Sequence, residues 1–187
     1  MTKKIIMSLT FLALAGCFGP SNYFMLTGPT HIEAYQTKRL PTIGVEQITI
    51  PEYMQQGKIA VQLSPTQINY SDSSVWAEEM DASLTKQLIS VIQKSFNHPN
   101  VYAYPWDLSQ QAGVKIKVSI SKFIAYGDNV YLDANWEILD LKRGRRYSRL
   151  FSTKVPSGKD TASVVASMNA AFEELSESIV REIARKF

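Results

Sequence analysis

The chain has 187 residues, 45% of them hydrophobic and 20% charged, with a net charge of +3 and a single cysteine. That length and apolar fraction support one domain with a packed core, and a lone cysteine excludes an internal disulfide framework. The small net charge argues against general nucleic-acid binding, which requires a strongly basic surface.

The first residues form a leader. Lys3 and Lys4 supply a positive start, and residues 5–13 are apolar except for Ser8 and Thr10. This run matches a signal-peptide core and is too short to span a bilayer. It ends at Leu14-Ala15-Gly16-Cys17. Small residues before a cysteine suit a peptidase that needs an extended, uncrowded backbone, and the thiol is the nucleophile that accepts a diacylglycerol group. The pattern is a lipobox. It predicts cleavage between Gly16 and Cys17, a covalent diacylglycerol and N-acyl chain on Cys17 as the only added group, and stable anchoring, because several acyl chains enter the bilayer. Residues 1–16 read as the lipoprotein signal peptide, 17–22 as a lipidated tether containing Gly19 and Pro20, and 23–187 as a single domain. Loss of Lys3 and Lys4 leaves 18 basic residues against 17 acidic ones in the mature chain. Phe18 follows the lipid cysteine. Under the enterobacterial sorting rule an Asp there retains a lipoprotein in the inner membrane, so Phe18 predicts the periplasmic face of the outer membrane.

Residues 23–26 read as a first strand and residues 27–42, with Gly28, Pro29 and Pro41, as an irregular excursion. Residues 44–50 alternate, with Val45, Ile48 and Ile50 facing the core, and Pro51 stops the strand. Residues 58–63 and 66–70 read as two short strands joined at Ser64-Pro65. The spacing of Trp76, Met80, Leu84, Leu88 and Ile92 predicts a helix over 75–96, with Asp72, Ser73 and Ser74 offering N-cap oxygens. His98-Pro99-Asn100 closes it, and residues 101–104 make a short strand that ends at Pro105.

In residues 114–126, Val114, Ile116, Val118 and Ile120 alternate with Lys115, Lys117, Ser119 and Ser121. This is a half-buried strand. Gly127-Asp128-Asn129 signals a hairpin, and Val130, Leu132, Ala134, Trp136 and Ile138 continue the apolar face. Arg143-Gly144-Arg145 marks another turn before a strand at 147–155. Residues 160–186 read as a second helix, with Val164, Met168, Phe172, Leu175, Ile179 and Ile183 as its stripe and Arg181, Arg185 and Lys186 at its C-terminal end, where cations suit the dipole. The predicted fold is α+β: a two-layer sandwich of one mostly antiparallel mixed sheet with two amphipathic helices packed on one face.

Catalytic and metal signatures are missing. His31 and His98 are the only histidines, and neither stands at ligand spacing. There is no Gly-x-Ser-x-Gly elbow and no phosphate-cradling glycine loop. Glu78-Glu79 and Glu173-Glu174 diverge by about 100° around their helices, which favours solvated faces over acid–base pairs. Asp133 and Glu137 sit on the polar face of a strand. The reading is a protein that is not an enzyme. Lys142, Arg143, Arg145, Arg146 and Arg149 form the strongest charge cluster, either a solvated hairpin tip or a contact for an acidic partner or anionic headgroups. Pro51-Glu52-Tyr53-Met54 is a second candidate contact, although Tyr53 would serve equally to cover the core. Trp76, Trp106 and Trp136 are core or interface anchors.

Several segments together resemble a known family. Tyr23-Phe24-Met25-Leu26 after the lipid cysteine, Val45 to Tyr53 as a strand ending in Pro51-Glu52-Tyr53, Trp76 opening a helix with Leu84 and Leu88, the strand pair around Phe123 and Trp136, and a terminal amphipathic helix are similar to the ABC-type transport auxiliary lipoproteins, the PqiC-like proteins. The resemblance implies a non-catalytic subunit that accompanies an MCE-domain lipid transporter, sits on the outer membrane and docks the distal end of the MCE assembly, with homo-oligomers also in view. Tyr53, Met54, Arg143, Arg145 and Arg146 are the candidate partner-binding residues. The alternative is a periplasmic carrier lipoprotein that holds an acyl chain in its own core. A carrier needs an empty apolar cavity, which Trp136, Phe123, Phe172 and Met168 are large enough to fill.

Overall fold

The computed structural model describes residues 22–29, 32–36, 40–105 and 111–187. The leader, Cys17, Phe18, His31 and Trp106 lie outside these residues. Among the described residues, eight strands and two helices follow one another as β1 (Asn22–Phe24), β2 (Ile43–Val45), β3 (Lys58–Ser64), β4 (Gln67–Trp76), α1 (Met80–Phe96), β5 (Val101–Ala103), β6 (Val114–Tyr126), β7 (Asn129–Asp140), β8 (Arg145–Pro156) and α2 (Thr161–Lys186). A single 3-10 turn, Glu52–Met54, lies between β2 and β3. The α+β sandwich stands.

The sheet is forked around β6. One edge of β6 pairs with β7 along its whole length, and β7 pairs with β8, both antiparallel. Its other edge is shared. The first residues run parallel to β2, from Ile43↔Val114 to Val45↔Ile116, with β5 beyond. The last residues run parallel to β3 at Val61↔Ala125 and Gln62↔Tyr126, with β4 and then β1 beyond. A one-residue bulge at Ser121 shifts the register between Ile120↔Ala134 and Lys122↔Asp133. It reverses the alternation, so Val114, Ile116, Val118 and Ile120 are followed on the core side by Phe123 and Ala125. The even positions of β7 from Val130 to Ile138 complete that face, and α1 and α2 cover it with Leu84, Leu88, Ile92, Phe172, Leu175 and Ile179.

The gap in the fork is closed by a side chain. Ile120 N donates to the Thr49 carbonyl at 2.8 Å, and β3 reaches β6 only at Ala125. Between them the Phe123 N–H donates to the Tyr53 hydroxyl at 2.8 Å. A buried amide without an acceptor costs about 1–3 kcal/mol, so Tyr53→Phe is expected to destabilise the protein by that amount, readable by urea unfolding. Burial pushes the Tyr53 hydroxyl above its ordinary value of 10.0. The folded protein therefore keeps this proton when the unfolded chain begins to lose it, and the contribution fades as pH rises beyond 10. The phenylalanine variant should lack that alkaline loss. An equally stable variant would show that water serves the amide as well.

Three boundaries depart from the sequence reading. Val75 and Trp76 belong to β4, not to a helix, and α1 starts at Met80 after Glu79, whose side chain makes no cap hydrogen bond. Trp76 N donates to the Gly57 carbonyl and Ala77 N to the Phe24 carbonyl, so ladder bonds hold the segment extended. Ser74 N instead bonds Ser71 Oγ within the strand. β2 is only three residues long, because Ile48 N turns to Thr85 Oγ1 of α1 before Thr49 regains the sheet as an isolated bridge to Ser119. The excursion between β1 and β2 is a strap across both helices. Gln87 of α1 donates to the Leu26 carbonyl at 2.7 Å, Thr27 N donates to Asn169 of α2 at 3.0 Å, and Tyr35 N donates to the Ser95 carbonyl at 2.7 Å.

Candidate docking surface

The β7–β8 turn is built by Asp140. This buried carboxylate accepts the N–H of Lys142 at 3.1 Å and of Arg143 at 3.0 Å through Oδ1, while Oδ2 lies 3.5 Å from the Arg143 guanidinium. Gly144, at φ +63, supplies the left-handed residue that closes the turn. Leu141 N donates to the Gly113 carbonyl, which ties the tip to the start of β6. Gly113 packs so tightly that a Cβ there would meet Pro41 at 2.8 Å.

The last turns of α2 lie beside this hairpin. Glu182, 6% exposed, faces three cations: Arg185 at 2.5 Å, Arg149 at 3.5 Å and Lys186 at 3.8 Å. Hydrogen bonding to Glu182 raises the Arg185 pKa above its ordinary value. The Arg149 guanidinium lies 5.8 Å from the Trp136 ring, whose Nε1 donates to Ser178 Oγ of α2 at 3.1 Å. Lys186 stands 4.7 Å over the Tyr147 ring. Arg146 pairs with Glu137 at 3.2 Å. Lys142, Arg143, Arg145, Arg146, Arg149, Arg185 and Lys186 thus gather at one end of the molecule, answered by Glu137, Asp140 and Glu182. A groove of 470 Å³ runs through this end, lined by Leu40, Pro41, Gly113, Asp140, Lys142, Arg143, Lys186 and Phe187.

The two candidate contacts fare differently. Arg143, Arg145 and Arg146 are exposed on one turn. Met54 is 4% exposed and part of the core, and Tyr53 packs against the core with its hydroxyl spent on Phe123. Met54 is thus out of reach of a partner in the folded protein, while the half-buried Tyr53 keeps part of its ring at the surface. Glu182 and Asp140 had not been singled out in the sequence. Glu182 was legible as a glutamate three and four residues before Arg185 and Lys186; its third partner, Arg149, required the fold.

Four of the carboxylates considered for chemistry have partners of their own. Glu78 pairs with Lys86 at 3.3 Å, Glu174 accepts from Thr153, Asp133 accepts from Ser152 at 2.5 Å, and Glu137 pairs with Arg146. His98 Nε2 lies 3.3 Å from the Pro41 carbonyl. Among the described residues no three His, Cys, Asp or Glu side chains group as metal ligands, and no helix is long and apolar enough to cross a membrane.

The family model of the ABC-type transport auxiliary lipoprotein component matches residues 24–180, from β1 to the last turns of α2. The chain belongs to this family. Within the auxiliary lipoproteins it is 25% identical to the intermembrane transport lipoprotein PqiC of Escherichia coli strain K12, with 98% of each chain covered. Two solved structures share the fold. A crystal structure of an uncharacterized protein has a TM-score of 0.70 at 20% identity, covering 88% of this chain and 99% of its own. A Xanthomonas campestris protein has a TM-score of 0.67 at 16% identity, covering 88% and 95%. The auxiliary-lipoprotein resemblance carried by β1, the strand before Pro51, and the β6–β7 pair is therefore correct as to family, although Trp76 ends a strand instead of opening a helix.

Proposed function

We propose that this auxiliary lipoprotein is a non-catalytic docking subunit of an envelope lipid-transport system. In this reading it is held to the periplasmic face of the outer membrane by acyl chains on Cys17 and presents its basic end to an MCE-domain protein. The observation that carries the reading is the direction of the strands. Asn22 opens β1, which runs parallel to β4, and β4 runs antiparallel to β3. Since β3 is parallel to β6, β1 runs antiparallel to β6 and begins on the side of the C-terminal end of β6. The basic turn sits at the other end, where Val114 pairs with Asp140. Thirteen residues of β6 span about 40 Å. A membrane-anchored chain so arranged points Arg143, Arg145 and Arg146 away from its own bilayer. That favours an acidic protein surface over anionic headgroups as their target. The name of the Escherichia coli relative, an intermembrane transport lipoprotein, supports the transport setting.

Against the carrier alternative, large side chains occupy the core. Trp136, Phe123, Phe172 and Met168 are all buried in the core. The space between the helices and the strap, lined by Ile32, Tyr35, Val91 and Val180 among others, amounts to 10 Å³, the size of one probe water.

Replacing Arg143, Arg145 and Arg146 with Glu tests the docking surface. The fold should survive, because exposed turn charges contribute little to stability. Binding to the MCE-domain protein in a pull-down should fall, and the difference from wild type should be larger at low salt than at high salt. Unchanged binding at both ionic strengths, with an unchanged circular dichroism spectrum, would reject the basic end as the docking surface.

A further inference from the structure

The β3–β4 hairpin extends beyond its last pairing with β6 at Gln62↔Tyr126, and its composition differs from the rest of the surface. Residues 59–71 contain no charged side chain, in a chain that is 20% charged; Lys58 and Asp72 bound the segment. Leu63 is 57% exposed and Ile68 39% exposed, and most of their neighbours from Ala60 to Tyr70 are intermediate or exposed as well. Edge and protruding strands normally carry charges that keep them in water. On β8 the exposed positions follow that rule with Arg145, Arg146, Arg149 and Lys154, which flank the exposed Leu150. The hairpin breaks the rule. Exposed apolar side chains on an uncharged hairpin tip mark a segment that leaves water when the protein is in place.

The neighbouring chain says what covers it. β1 runs away from the end of the sheet that carries the hairpin tip, so its first residue, Asn22, is the one nearest that end. From the level of Lys58, near Asn22, to the tip at Ser64↔Gln67 the hairpin extends six residues, about 20 Å. Four residues lie between Cys17 and Asn22, and the five steps reach at most about 17 Å. An anchor at Cys17 and the tip at Pro65-Thr66 therefore meet the same plane. Backbone pairing between β3 and β4 already satisfies the ladder groups of the hairpin, which lowers the cost of leaving water.

We propose that the hairpin tip, with Leu63 and Ile68, seats in the interfacial layer of the bilayer that holds the lipid anchor, making a second, non-covalent contact that fixes how the protein stands on the membrane. The proposal rests on the reading that Cys17 is acylated.

The test uses the full-length lipoprotein, with acylation checked by mass, reconstituted into vesicles of phosphatidylethanolamine and phosphatidylglycerol. An environment-sensitive fluorophore is attached at Thr66→Cys or, at the opposite end, at Leu141→Cys. The acylated Cys17 sulfur is a thioether and does not take the label. Lipids brominated near the headgroup should quench roughly half of the emission at position 66, as expected for a shallow interfacial group, and leave position 141 bright. Adding Leu63→Glu and Ile68→Glu should abolish the quenching while the protein still floats with the vesicles. A floating, acylated protein whose label at position 66 stays unquenched overturns the proposal. Unquenched label that cross-links between copies also overturns it and assigns the hairpin to a self-contact. A chain that carries no acyl mass and does not float overturns the anchor reading, and the hairpin placement with it.

Discussion

Replacing Trp136 with alanine is expected to destabilise the protein by about 3–5 kcal/mol, the range for truncating a fully buried large aromatic. Trp136 is 1% exposed at the centre of β7. It packs in the cluster that joins the sheet to α2, and its Nε1 donates to Ser178 Oγ. The truncation leaves a cavity, loses that hydrogen bond and removes the ring beside Arg149. For a protein of this size the loss corresponds to a fall of about 6–20 °C in Tm. Thermal melting of the chain made without residues 1–17 reads it. Trp136→Phe should recover most of the packing and leave a smaller deficit from the missing indole. An alanine variant with an unchanged Tm would mean that the site collapses without strain, against the close packing seen around it.

How much of this was legible depended on whether the determining contacts are local. The stripe from Val164 to Ile183 and the cap at Asp160, whose carboxylate accepts the Ser163 N–H at 2.9 Å, are properties of one helix. The helix bounds were readable to within a residue, as was the β6–β7 turn, and the β7–β8 turn to within two, because glycine and a short gap between alternating runs mark both. Trp76 was misplaced because a four-residue spacing to Met80 continues the helical pattern smoothly; only the bonds from Trp76 to Gly57 and Ala77 to Phe24, partners distant in sequence, hold it in a strand. The fork of β6 was invisible for the same reason. Its parallel neighbours β2 and β3 are short and lie far away in the chain. At the candidate site, the arginine cluster was plain in the sequence. That Asp140 shapes it, that Glu182 gathers cations from both β8 and α2, and that Tyr53 serves a backbone amide all depend on pairings across the fold.

Cys17→Ser is expected to have the largest effect on location. The thiolate is the nucleophile that acylation requires, and a serine hydroxyl at the same position does not replace it, so the variant should take up no fatty acid and remain as an unprocessed or mislocalised precursor. The consequence for attachment follows from chain count. One acyl chain binds a bilayer reversibly, with an association constant of about 10⁴ M⁻¹, whereas two or more anchor stably. Removing all of them leaves only the hairpin around Leu63 and Ile68, a small uncharged surface that cannot hold the protein alone. Metabolic labelling with a fatty-acid probe, followed by membrane fractionation, separates the outcomes: wild type labelled and membrane-bound, the serine variant unlabelled. A serine variant that still takes up label would show that the lipid is attached elsewhere. Phe18→Asp completes the argument, because it leaves Cys17 and the hairpin untouched and alters only the residue that sorting machinery reads. It should keep the label and shift the protein from outer-membrane to inner-membrane fractions. A labelled variant that stays in the outer membrane would mean that position 18 does not decide the destination here.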